Sequence, residues 1–277
     1  MRFSNKSFVL MFSVLLSVLL VGGGLVEAKS WISLRAEIDA GASFRVITSR
    51  GYGTVLNTVI PGIQLDETVT GESISYQLSI PGSSSLKVKS YPELPKLTAF
   101  VAIPNEREAE VRIVDAVWEE IELDRAIIPS KGPLLRTVNP DDIPYMFGAV
   151  YGSDEFFPPE KDIVSISDPF VLRDVKGVRL TVVPCRYNPV SGKLLVAKKL
   201  VVSVETMGRS LSVFRSKNTK VSPEYAAIYK QLFVNNQFTS TRYAPVEEAG
   251  KVLIIAADEF AGAVTPLRDW RLKSGVN

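Results

Sequence analysis

The sequence predicts a mainly β protein: an antiparallel β-sandwich, led by an export signal and followed by the opening strand and helix of an α/β unit. Three observations carry this. From Lys29 to about Glu205, short segments of β-branched and aromatic residues are broken by Pro and Gly, a rhythm of short strands and turns that favours a sandwich over a parallel sheet. The first 28 residues combine a positive start with an apolar run. After residue 250, a continuous apolar run leads into a stretch of helical spacing.

In the leader, Arg2 and Lys6 precede the run Phe8 to Leu20, interrupted only by Ser13 and Ser17, and Val26-Glu27-Ala28 supplies a small-x-small site for cleavage between Ala28 and Lys29. The run is shorter than the roughly 20 apolar residues of a spanning helix, and Gly22 to Gly24 follow it. A removed signal is expected, with export through the periplasm to the surface or medium and no stable membrane anchor.

Ser73 to Ile80 alternates with period two and stops at Pro81-Gly82, as a strand with one buried face closed by a turn does. Leu97–Ile103 and Glu108–Ile113 read as a pair around Pro104-Asn105, and Val117 to Ile121 continues the alternation. Val178–Cys185 and Leu194–Val204 flank Tyr187 to Gly192, a hairpin connection rich in turn residues. Between these groups, Ile128 to Pro169 is crowded with prolines and aromatics, including Tyr145, Tyr151 and Phe156. Connections of that length are functional or disordered, and the aromatics argue against disorder.

Glu205 to Val221 reads as a linker or edge segment. A helix is expected near 222–234, with Ser222 as N-cap, Pro223 at its first position, and Tyr225, Ile228, Tyr229 and Leu232 on one apolar face, fading by Asn235-Asn236. Phe238 to Glu248 is a polar junction containing Arg242-Tyr243. Lys251 to Ala257 suits a parallel strand buried on both faces. Asp258 is a candidate helix cap, and Phe260, Val264, Leu267, Trp270 and Leu272 recur at helical spacing. One strand and one helix cannot bury their own faces, so the chain reads as a fragment.

Composition narrows the function. Lysines and arginines number 32 against 30 acidic residues and are scattered, so neither nucleic acid nor an anionic membrane is an expected partner. There is no histidine, and Cys185 is the single cysteine. It has no disulfide partner and lies in an apolar strand-like stretch, where a small buried residue is expected rather than a nucleophile lacking its base. Only scattered carboxylates remain as metal ligands. No cofactor, metal or catalytic residue is assigned.

Six longer runs stand out: Pro129-Ser130-Lys131-Gly132, Asn139-Pro140-Asp141-Asp142-Ile143-Pro144-Tyr145, Phe156-Phe157-Pro158, Ser167 to Val175, Tyr187-Asn188-Pro189-Val190 and Thr241 to Glu248. In these runs the chain resembles the N-terminal part of gingipain-type cysteine peptidase precursors (peptidase family C25), the Arg-specific gingipains most closely. The resemblance implies a signal over 1–28, a β-sandwich prodomain over 29–242 and the start of a truncated, caspase-like α/β peptidase domain over 243–277. It further implies a zymogen whose prodomain assists folding and keeps the cognate peptidase, its partner in cis, latent.

By the same resemblance Arg136, with Thr137 after it, stands where the family's inhibitory basic residue enters the S1 pocket, and Arg242-Tyr243 stands at the prodomain–peptidase junction. A guanidinium offers an acidic pocket a planar fork of donors. The family's catalytic cysteine and histidine lie past Asn277, so this fragment is expected to be inactive. Two alternatives remain: a free-standing secreted inhibitor or binding module, and a carbohydrate-binding sandwich using Tyr145, Tyr151 and Phe156.

Overall fold

The computed structural model describes residues 30–34, 41–50, 52–173, 175–208, 223–236 and 252–274. The signal with Ala28 and Lys29, the cap Ser222, and the junction with Arg242 and Tyr243 lie outside the described residues.

Thirteen strands appear among the described residues: β1 (Ser30–Ser33), β2 (Ser43–Arg50), β3 (Gly53–Val59), β4 (Gly62–Thr70), β5 (Ser73–Ser79), β6 (Ser84–Ser85), β7 (Pro95–Ile103), β8 (Glu108–Glu122), β9 (Val164–Ile166), β10 (Phe170–Leu172), β11 (Val175–Val182), β12 (Cys185–Asn188) and β13 (Lys193–Met207). They form a three-stranded sheet in the order β1-β4-β5 and two five-stranded sheets. One runs β10-β11-β7-β6, with β9 also on β11, and the other runs β12-β13-β3-β2, with β8 also on β13. Every pairing between strands is antiparallel.

Alternation builds the core. Val101 and Ile103 of β7, Val178, Leu180 and Val182 of β11, and Leu194, Val196, Leu200 and Val202 of β13 are buried in one cluster shared by the sheets. This is the antiparallel sandwich the sequence predicts, with inward residues of facing sheets interdigitating. Cys185 is wholly buried in the same cluster.

Two expected pairings change. Leu97–Ile103 and Glu108–Ile113 do not pair with each other: β7 pairs with β11 and β6, whereas β8 pairs with β13. The turn at Pro104-Asn105, closed by Arg107 N–H donating to the Pro104 carbonyl at 3.1 Å, carries the chain between sheets. Val178–Cys185 likewise breaks, because Pro184 has no N–H to give a ladder. β11 ends at Val182 and β12 begins at Cys185 in the opposite sheet. The hairpin at Tyr187–Gly192 does form, between β12 and β13. In it the Asn188 side chain accepts from the N–H groups of Val190 and Ser191. Glu108–Ile113 and Val117–Ile121 are one strand, β8, accommodated by register shifts against β13. Glu205 belongs to β13 rather than to a linker.

Helix α1 (Pro223–Leu232) packs on the outer face of the β10-β11-β7 sheet. Tyr229 and Phe233 are buried with Ala102 and packed by Phe100, Phe170, Leu172, Val175 and Tyr225. This explains why Ala102 of β7 and Gly177 of β11 are buried although they face away from the sandwich core: both lie beneath α1 and Phe233. A Cβ on Gly177 would meet the Phe233 ring at 2.6 Å, so that position lets the ring descend onto β11. The expected apolar face is rotated, with Ile228 45% exposed and Phe233, just past the last turn, in its place.

Beyond the junction, residues 252–257 form no strand, and Leu253 and Ile255 are over 80% exposed. A both-faces-buried strand needs neighbours on two edges, and none pairs with it among the described residues. Asp258 opens a 3-10 turn, Asp258–Phe260, rather than capping helix α2 (Ala261–Lys273). Leu267, Trp270 and Leu272 of α2 are exposed.

Candidate functional site: the loop carrying Arg136

The loop begins where two segments cross. Tyr76 N–H donates to the Ala126 carbonyl and Ile128 N–H to the Tyr76 carbonyl, so residues 126–128 lie along β5. Glu93 N–H then donates to the Ile128 carbonyl at 2.9 Å and Ser130 N–H to the Tyr91 carbonyl at 2.8 Å. The neck closes on one residue. Ser90 N–H donates to the Ser130 carbonyl at 2.9 Å, and the Ser90 carbonyl accepts from Gly148 N–H at 3.0 Å. Ser90 does this with φ at 66°, a left-handed conformation that side chains other than Gly rarely adopt. Gly148 is required at the contact, since a Cβ there would lie 2.6 Å from the Ser90 carbonyl oxygen.

Above the neck, Lys131 spans the loop. Its Nζ donates to the Pro140 carbonyl at 2.8 Å and sits 4.1 Å from the Tyr145 ring centroid. Gly132, at φ 80°, follows it and donates its N–H to Ser130 Oγ. On the returning limb Asn139 caps the 3-10 turn Pro140–Asp142 by accepting from Asp141 N–H. Burial, then the carboxylates of Glu93 and Asp141, raises the Tyr145 pKa above its ordinary value. The floor is aromatic: Tyr151 stacks edge-on against Phe147 and donates its hydroxyl to the Ile127 carbonyl at 2.7 Å, while Tyr91 lies 4.9 Å from Phe157. Burial raises the Tyr151 pKa well above the usual phenol range, so the hydroxyl keeps the proton it donates.

Arg136 and Thr137 crown the loop, both exposed, in the turn closed by Val138 N–H donating to the Leu135 carbonyl at 3.1 Å. Four described arginines lie outside strands and helices, and three are engaged. Arg107 lies over Tyr52, Arg125 pairs with Glu67 at 2.6 Å, and Arg173 lies over Tyr225 at 4.1 Å. The side chain of Arg136 makes no hydrogen bond, ion pair or ring contact. In the loop and its neck Leu135, Met146, Phe147, Val88 and Tyr91 are exposed apolar residues. Among the described residues no three His, Cys, Asp or Glu stand together as metal ligands, and burial raises the pKa of the Cys185 thiol far above its ordinary value. Arg136 and Thr137 thus share one turn. Ser90, Lys131 and Gly148, which hold that turn, went unread: Lys131 stood in a run matched to the family without a role, and the Gly132 and Gly148 pair was the available signal.

The loop is presented by an antiparallel β-sandwich, the fold of the gingipain-type propeptides. The family model described as Propeptide_C25 matches residues 54–236, and the chain belongs to that family as a gingipain-type propeptide. Gingipain R2 of Porphyromonas gingivalis is 30% identical over 99% of the chain, and Gingipain R1 of the same organism is 34% identical over 92%. The chain spans only 36% and 25% of those relatives' lengths. Among solved structures, the complex of P. gingivalis RgpB pro- and mature domains superposes with a TM-score of 0.63 at 30% identity, covering 70% of this chain and 97% of that one. A structure concerning zymogenic latency of gingipain K from P. gingivalis shares the fold, with a TM-score of 0.56 at 18% identity, over 65% of this chain and 99% of that one. No described helix is long and apolar enough to cross a membrane.

Proposed function

We propose that this propeptide keeps a gingipain-type, Arg-specific cysteine peptidase of the same precursor latent, and assists its folding, with Arg136 occupying the S1 pocket. The observation that carries the reading is the isolation of Arg136: it is the one loop arginine among the described residues whose side chain has no partner in its own domain. A planar fork of donors held out at the tip of a tied loop matches what a closed acidic pocket binds. Tethering to the peptidase gives the loop a high effective concentration, which falls once the chain is cut. Cleavage after Arg242, before Tyr243, would be that cut, and it presents the same residue type to the same pocket. Residues 1–28 direct export and are removed by cleavage between Ala28 and Lys29, leaving 29–242 as the propeptide and 243–277 as the start of the peptidase.

The test adds the 277-residue chain, wild type and Arg136→Ala, to an Arg-specific gingipain and measures hydrolysis of a small arginyl substrate. Wild type inhibits and the variant does not. Equal inhibition removes Arg136 from the mechanism, and no inhibition by either chain overturns the reading.

A further inference from the structure

Of the three engaged loop arginines, one is engaged by a helix. The partners of Arg107 and Arg125 are Tyr52, in the turn between β2 and β3, and Glu67 of β4. The partner of Arg173 is Tyr225 in the first turn of α1, whose ring centroid lies 4.1 Å from the guanidinium carbon. Arg173 ends the short strand β10 and turns the chain into β11. Leu172 and Val175 face each other across that turn, and Arg173 takes a φ of 51°, a left-handed conformation. Its Nη1 is closed to solvent. Neither side chain nor backbone is then available to a pocket that binds arginine in an extended chain.

This closure is only as firm as the helix. α1 has 10 residues, fewer than the roughly 12–15 that hold a helix in water, so it depends on its packing. That packing is made against the strand it covers: Tyr229 and Phe233 share a cluster with Phe170 and Leu172, and the Tyr229 hydroxyl donates to the Leu172 carbonyl at 3.4 Å. β10 has 3 residues, and among the described strands it pairs with β11 alone. Helix, strand and turn form one unit, and lifting α1 strips the cover from β10 and Arg173 together.

From this geometry we infer that the Arg173–Asp174 bond is a concealed cleavage site for an Arg-specific peptidase, closed by α1 and opened when the helix lifts. The inference rests on the function proposed above, which supplies the peptidase. Once the Tyr225 ring leaves the guanidinium, Arg173 is free to enter an S1 pocket and the uncovered turn is free to extend. The peptidase thiolate attacks the Arg173 carbonyl carbon, the C–N bond to Asp174 breaks, and the Asp174 amine leaves with a proton from the peptidase. Water then hydrolyses the thioester, giving the Arg173 carboxylate and returning the thiol. The cut parts β10 from β11, the strand that joins it to β7 and the rest of the sheet. A propeptide opened at α1 is therefore spent, and its removal becomes irreversible.

The experiment incubates the 277-residue chain carrying Arg136→Ala, so that the loop leaves the pocket open, with catalytic amounts of an Arg-specific gingipain and, in parallel, of trypsin. Mass spectrometry follows cleavage after Arg173 and, for comparison, after Arg186 of β12 in the opposite sheet, whose Nε donates to the Pro158 carbonyl. Adding Tyr225→Leu is expected to speed the cut after Arg173 on the order of tenfold, the scale of one partly desolvated cation–π contact, and to leave the cut after Arg186 unchanged. Tyr225→Phe keeps the ring and behaves as the parent chain, and Arg173→Gln abolishes the cut. If Tyr225→Leu speeds both cuts alike because the domain has unfolded, the parent chain in sub-denaturing urea decides: cleavage after Arg173 must rise at lower urea than cleavage after Arg186. An unchanged rate after Arg173 in Tyr225→Leu, or a joint rise of both cuts in urea, overturns the inference and leaves the proposed function standing. Inhibition of the gingipain by Arg136→Ala equal to wild type overturns the proposed function, and the trypsin rates then decide whether α1 closes the bond.

Discussion

The side-chain amide of Asn235 pairs with both backbone groups of Ala102: its Oδ1 accepts from Ala102 N–H at 2.8 Å and its Nδ2 donates to the Ala102 carbonyl at 2.9 Å. The same Nδ2 donates to Thr54 Oγ1 at 2.8 Å. Ala102 lies in β7 and Thr54 in β3, so this one amide, 2% exposed, joins strands of the two five-stranded sheets to the segment that leaves α1.

Asn235→Ala leaves buried groups on both strands without partners, a loss of about 2–4 kcal/mol for several orphaned groups. Urea unfolding is expected to show a lower midpoint with an unchanged slope. Asn235→Asp keeps the acceptor but not the donor to Thr54 and the Ala102 carbonyl, and so does not rescue stability. Wild-type stability in the alanine variant would show that water replaces the amide.

Arg136→Lys keeps the charge and loses the fork. In the inhibition assay it is expected to weaken binding on the order of tenfold to a hundredfold, between wild type and Arg136→Ala, because an ammonium cannot pair bidentately with a carboxylate. Equal potency of lysine and arginine would mean that charge alone is read.

Gly148→Ala pushes a methyl group into the Ser90 carbonyl, 2.6 Å from the built Cβ position, at a cost of about 1–3 kcal/mol typical of overpacking. The neck has to open, so inhibition falls along with the thermal midpoint. Ser90→Gly is expected to be neutral or mildly stabilising, since it relieves a positive φ. A stabilising Gly148→Ala would show that the neck is slack.

Cys185 sets an alkaline limit. Burial holds its thiol protonated in the fold, whereas in the unfolded chain it ionises around its ordinary value of 9.0. Stability from this group is complete below pH 9 and declines as pH rises above it, by up to ~1.4 kcal/mol per pH unit. Cys185→Ala should flatten the curve between pH 9 and 10, below the ordinary value of 10.0 for the buried tyrosines 151 and 187. A thiol reagent at pH 8 should label Cys185 only after denaturant is added, and rapid labelling of the native chain would refute the burial.

The sequence reading succeeded where pattern and position coincide. Period-two alternation located β5 and the Val117–Ile121 part of β8, apolar runs between turn signals located β7 and β13, and Pro223 marked the start of α1. It failed where pairing depends on distant residues. Pro104-Asn105 looks like a hairpin turn whether the next strand folds back or crosses to the other sheet, and only the partners of β7 and β8 distinguish the two. Asn235 was read as a helix terminator, because nothing local tells a buried amide from a solvated one. At the loop, the resemblance carried Arg136, but Lys131 gains its meaning only from Pro140 and Tyr145 across the turn.

The bond from Asn235 to Thr54 spans 181 residues of sequence, and β13, which carries β3, β8 and β12, precedes Asn235 by only a short interval. On a chain synthesised from its N-terminus, β3 can pair early with β2, but β8 has no strand partner until β13 exists, and the amide arrives last. Assembly of the domain is timed to its C-terminal end, so whatever follows residue 235 meets the sandwich at the moment of its completion.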